Sequence, residues 1–240
     1  MSKEDDCILR ERSFRSGSDS GRQKDNVMDP YKISLLSLVL VSIASVGCGQ
    51  RATPTKGKAA PLIAAGVSGV AEVRAGSQEW SALATNQPVL EGSVVRTGAD
   101  SVVAMDSQVS ADRIVLGKDS EVGVEQWKVM AGSRPSAERV RLDVRRGVVV
   151  MDVPILSGAS IFEVKGSNFV ASARSGAAVA AITADGFVLV RAGTVACVFI
   201  TPGFKAASVI LTAGQMVDPG SMAVKAIPVE SNLVWNLLGP

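Results

Sequence analysis

The chain has 240 residues, 47% of them hydrophobic but only 4% aromatic, with 25 basic and 23 acidic side chains for a formal net charge of +2. That balance excludes a charge-driven nucleic-acid partner. The absence of histidine excludes His-based acid–base catalysis, His-containing triads and His-rich metal sites. Cys7, Cys48 and Cys197 are too few and too scattered for a disulfide framework or an all-cysteine zinc site.

Residues 1–27 mix charges of both signs without a hydrophobic period and read as a disordered extension. Met28, followed by Asp29-Pro30-Tyr31-Lys32, makes the more ordinary start of an export signal. From Ile33 to Gln50 no residue is charged, and the apolar part, Ile33 to Val46, contains four serines. It is shorter than the ~20 residues of a membrane span and close to the roughly 7–15 of a secretory apolar region. Gly47 then precedes Cys48, and the chain turns polar.

That arrangement resembles the bacterial lipoprotein signal, in which a cysteine after a small residue receives lipid and becomes the mature N-terminus. Ser45 departs from the pattern, which prefers Leu there. The resemblance makes Cys48 the lipid attachment site and places the mature chain in the bacterial cell envelope, anchored in the periplasm at the outer membrane. The alternatives are an uncleaved membrane span over Ile33 to Val46 and a plain cleaved signal. The expected organisation is a disordered extension plus signal peptide over 1–47, a linker over 48–61, a β domain over 62–229 and a C-terminal tail over 230–240.

The body consists of short alternating runs punctuated by glycine. The runs "GVAEVRAG", "SVVRTG", "SVVAMD", "RIVLG", "SEVGVEQW", "RVRLDVRRG", "GVVVMDVP", "SIFEVKG", "GFVLVRAG", "GTVACVFI" and "SVILTAGQMV" each predict a strand of roughly 4–8 residues. No window between Gly66 and Asp218 has a helical period with caps, so the domain is expected to be all-β, a sandwich or barrel. Lys128 to Glu138 breaks the alternation and predicts a long surface loop. The octets Gly69–Gly76 and Gly186–Gly193 echo one another and read as paired strands, with Val70, or Phe187 and Leu189, on alternate faces. Cys197, in an alternating apolar run, reads as a small buried hydrophobe. Ser231 to Pro240 predicts a short helix or a segment packing Trp235 on the sandwich.

The order of these pieces resembles a FecR-type domain. Gly69-Val70-Ala71-Glu72-Val73 is followed by Trp80-x-x-Leu83 and by Val89-Leu90-Glu91-Gly92-x-Val94-Val95-Arg96-Thr97-Gly98-x-x-Ser101. Then come Ile114-x-Leu116, Ser120-x-Val122, Leu142-x-Val144-x-x-Gly147-x-Val149, Phe162-Glu163-Val164, Gly186 to Gly193, and Gly214-Gln215. The resemblance covers residues 66–218 and implies a β-sandwich of jelly-roll type used outside the cytoplasm for sensing or interaction, with Trp80 at a core position. The founding members of the family sense ferric-siderophore transport and signal to a cytoplasmic sigma factor through an N-terminal cytoplasmic domain. Here only 27 to 32 residues precede the apolar run, too few for that domain.

Val95 inward, Arg96 outward, Gly98 in a turn and Ser101 bonding backbone within that turn give the Val-Arg-Thr-Gly-x-x-Ser segment a structural meaning. Arg96 and Arg174 are the candidate ligand contacts. Around Arg174 the chain reads Ala173-Arg174-Ser175-Gly176-Ala177-Ala178-Val179 and lacks the aromatic that the family carries there.

No Ser-x-x-Lys, Gly-x-Ser-x-Gly or P-loop occurs. Asp100, Asp106, Asp112, Asp119, Glu121 and Glu125 gather without the spacing of a calcium loop. No catalytic residue, cofactor or metal is expected. The resulting expectation is a non-enzymatic, lipid-anchored envelope protein that binds another envelope component, protein or glycan. The alternatives are a membrane-spanning FecR-like sensor and a carboxylate-based envelope polysaccharide hydrolase.

Overall fold

The computed structural model describes residues 58–59, 62–130, 137–156, 158–173, 176–201, 203 and 205–238. Cys7, Cys48, the apolar run and Arg174 lie outside them.

Nineteen strands and one 3-10 helix make up the described chain. The first half contains β1 (Lys58–Ala59), β2 (Leu62–Ser68), β3 (Ala71–Ala75), β4 (Ser81–Ala82), β5 (Pro88–Val89), β6 (Ser93–Thr97), β7 (Val102–Ser107), β8 (Arg113–Leu116) and β9 (Glu121–Met130). The second half contains β10 (Ala137–Arg146), β11 (Val148–Leu156), β12 (Ile161–Lys165), β13 (Phe169–Ala173), β14 (Gly176–Thr183) and β15 (Val188–Ala192). It ends with β16 (Thr194–Thr201), β17 (Lys205–Thr212), β18 (Gln215–Val217), β19 (Val224–Ala226) and the 3-10 helix Val229–Leu238.

Two sheets result, which confirms the all-β sandwich. The first, sheet A, runs β17-β16-β13-β12-β10-β9-β6-β3-β4 with β1 added on β9; sheet B runs β19-β18-β15-β14-β11-β8-β7-β2-β5. Beyond the first few strands the order in both sheets follows the chain, which passes back and forth between layers as it advances. Pairing is antiparallel except for β10 with β12, which are joined by a crossover through β11 in the other sheet.

Period-2 alternation fixes which side chains enter the space between the layers. In β16, Val195, Cys197 and Phe199 are buried while Val198 and Ile200 stay exposed. Trp127 and Phe162 meet edge to face in the core with centroids 6.0 Å apart. Cys197 behaves as the small hydrophobe expected of it, and burial pushes its thiol up to about 12. A second, smaller core covers the outer face of sheet B, where Trp235 of the 3-10 helix packs on Val115, Val150, Ala181 and Leu189. The tail is thus both a helical segment and the cover that its tryptophan suggested.

Four expectations need correction. The echoing octets are not partners, because β3 lies in sheet A and β15 in sheet B; what they share is a strand followed by a glycine corner. Val70 is 69% exposed, and Ala71 and Val73 take the inward positions. The expected loop over 128–138 is strand at both ends, where Met130 pairs Ala137 and Val129 pairs Glu138. Finally, "SVILTAGQMV" is two strands in different sheets, broken at Gly214 with φ of 82°.

Candidate functional site

Register places the candidate contact Arg96 on the outer face of sheet A, as alternation predicted, with Val95 buried beneath. Glu72 lies opposite Arg96 in the β3–β6 pair, and its Oε2 accepts from Arg96 Nε at 2.6 Å. Trp80, just before β4, is not a core residue. It lies half-buried on the surface between two guanidiniums, with Arg96 Cζ 4.1 Å and Arg74 Cζ 4.6 Å from its ring centroid. Such stacking contributes about 0.5–1 kcal/mol per contact at exposed sites, and it fixes both side chains in place. Arg74 Nε is buried without a hydrogen-bond partner. A cleft of about 220 Å³ adjoins Arg96, lined by Val70, Glu72, Asp119 and Arg146.

The residues around Arg96 do the structural work expected of their motif, over longer distances than expected. Thr97 Oγ1 donates to Gly117 O at 2.6 Å and accepts from Ser120 N at 2.9 Å. Ser101 N reaches Gly98 O within the turn at 3.3 Å. The Ser101 hydroxyl instead accepts from Val70 N at 2.8 Å, across 31 residues. Ser120 Oγ continues the series by accepting from Val148 N at 3.0 Å. These hydroxyls tie together the corners where the chain changes sheets. Thr97→Val keeps the shape but leaves Gly117 O and Ser120 N without this partner, so a loss of about 2 kcal/mol is expected; equilibrium denaturation measures it.

The acidic residues do not converge. Asp106 binds Arg113 through both oxygens at 2.8 and 2.9 Å, Glu121 faces Arg145, and Glu125 faces Lys165. Among the described residues no group of acidic or cysteine side chains is arranged to hold a metal ion.

One carboxyl pair was not anticipated. Asp112, before β8 in sheet B, and Glu138, on β10 in sheet A, are 2% and 4% exposed. Ser110 Oγ donates to Glu138 Oε2 at 3.2 Å, and Glu138 N donates to Ser160 Oγ at 3.1 Å. Asp112 Oδ1 and Glu138 Oε1 are both buried without a donor. Protonating one carboxyl would turn an acceptor into a donor for the other. Burial first, then the charge of Asp112 and a hydrogen bond to it, push Glu138 up to about 7. Burial, reinforced by Asp152, raises Asp112, against hydrogen bonds from Ser110 and Glu138. The pair lies beside a polar cleft of about 360 Å³ lined by Asp106, Ser110, Asp112 and Asp152.

No family model and no curated protein matches this sequence. Two crystal structures of a candidate anti-sigma factor from Parabacteroides distasonis ATCC 8503 are similar in fold, at 11% and 10% identity with TM-scores of 0.44 and 0.43. Each match covers 60% of this chain and 64% or 63% of the other. The chain therefore spans less than two thirds of those proteins, and a likeness of this size concerns β architecture alone.

Proposed function

We propose that this chain is a non-enzymatic, lipid-anchored envelope protein whose FecR-like domain uses the Arg74–Trp80–Arg96 face to bind an acid-bearing envelope component, protein or glycan. The observation that carries the reading is Arg74. Its guanidinium is pre-ordered against Trp80, the residue is partly exposed, and it makes no ion pair among the described residues. An anion arriving at the exposed part of the guanidinium would meet a charge already held in place, and ordering costs of binding are correspondingly low. Arg96, by contrast, is neutralised by Glu72 and serves to hold the ring.

The carboxyl pair does not favour hydrolysis. Glycosidases hold their two carboxyls roughly 5–9.5 Å apart, with the sugar between them, whereas Asp112 and Glu138 are almost fully buried and both are tied to Ser110, whose Oγ donates to Glu138 Oε2 and accepts from Asp112 N. That burial supports a structural role.

A photo-crosslinker placed at exposed Ser81, beside Trp80, tests the face in intact cells. We expect an adduct with one envelope component, reduced at least tenfold by Arg74→Ala in a chain that still folds. Absence of an adduct, or its indifference to Arg74, would sink the assignment. Catalytic release of sugar ends from envelope polysaccharide by the purified chain would overturn the non-enzymatic reading.

A further inference from the structure

Three of the four sheet edges are short: β4 and β5 have two residues each and β19 has three. The fourth, β17, has eight and, among the described residues, pairs only with β16. Proteins usually blunt a long edge with charge, proline or a bulge. β17 has no proline, its one charge is Lys205 at the first position, and its register with β16 is unbroken from Lys205 to Thr212.

The outer face behind this edge also differs from the rest of sheet A. From β3 to β12 that face carries ion pairs, including Glu72–Arg96, Arg145–Asp143, Arg141–Glu163 and Lys165–Glu125. From β13 onward it is apolar, with Val170 38%, Val198 45%, Ile200 52% and Ile210 67% exposed.

We propose that β17 is a homodimerisation edge, pairing antiparallel with β17 of a second copy about a two-fold axis at Ser208. The strand is self-complementary in that register, as an isologous contact requires. Each Ile210 falls opposite Ala206 of the other copy and each Val209 opposite Ala207, so a large side chain meets a small one on both faces. Ser208 meets Ser208, where two hydroxyls can bond across the strands. In that register Lys205–Leu211 of the two copies overlap, about 24 Å at ~3.4 Å per residue. A single strand pair of that length is at the small end of specific interfaces. This inference is independent of the proposed binding face, which lies at the other end of sheet A.

Sedimentation equilibrium of the full chain in a non-denaturing detergent tests it. The unaltered chain should show a monomer–dimer equilibrium. Ser208→Lys and Ser208→Asp each put like charges directly opposite at the axis and should weaken association at least tenfold. An equimolar mixture of the two variants should restore it to within threefold of the original. Ser208 is exposed, so both variants are expected to fold, which circular dichroism checks. A chain that stays monomeric at its highest soluble concentration, variants that associate as tightly as the parent, or a mixture that fails to recover would each overturn the proposal.

Discussion

Gly193→Ala is expected to cost about 4 kcal/mol, against about 1 kcal/mol for Gly214→Ala, although the two glycines have φ of 79° and 82°. The left-handed conformation alone penalises any Cβ by roughly 1–2 kcal/mol, and both sites share that term. They differ in surroundings. A Cβ on Gly214 meets nothing within 4 Å, whereas one on Gly193 would overlap Ala177 O and sit 2.9 Å from Ala177 C. Gly193 turns the chain from β15 in sheet B to β16 in sheet A directly against the backbone of β14, so relief requires β14 to move. Denaturant titration of both variants decides the matter; equal losses would mean that the corner is not closed in the way described.

Raising the pH from about 4.5 to 8 should remove on the order of 3 kcal/mol of stability, and Glu138→Gln should remove most of that dependence. The carboxyl is raised from 4.5 to about 7 in the folded chain, so between those values the folded state holds a proton that the unfolded state has released. The corresponding stability is fully present below pH 4.5 and is lost as pH rises through about 7, at about 1.4 kcal/mol per pH unit. Desolvation is the leading cause, and Ser110 and Ser107 oppose it by hydrogen bonding. A glutamine at 138 donates to Asp112 at every pH and never ionises. The variant should therefore lose most of that slope, with the remainder set by buried Asp112, and exceed the parent at pH 8. An unchanged slope in the variant would show that Glu138 does not hold that proton.

The legible part of the fold was the part written in valine. Strands such as β6, β7 and β16 alternate β-branched with polar or small residues, so both their existence and their inward faces could be read, down to Val95 and Cys197. β13 and β14 escaped because Phe169–Ala173 and Gly176–Thr183 are rich in alanine, a residue with little strand preference of its own. Burial of Ala171, Ala173, Ala178 and Ala180 between the layers makes them strands, an effect of context rather than propensity.

The site divides the same way. Alternation alone put Arg96 outside, but bracketing Trp80 between Arg74 and Arg96 requires the β3–β6 register, which no local pattern encodes. Asp112 looked like one more solvated turn residue. Its partner Glu138 is 26 positions away and belongs to the opposite sheet, so only the assembled sandwich brings the two together.

Intact-mass analysis of the membrane-extracted chain tests most directly whether the domain works as an anchored binding module. The account predicts that residues 1–47 are gone and that Cys48 is the N-terminus carrying acyl chains. Recovery of residues 1–47 joined to an unmodified Cys48 would contradict it and return the apolar run from Ile33 to Val46 to the role of a membrane span.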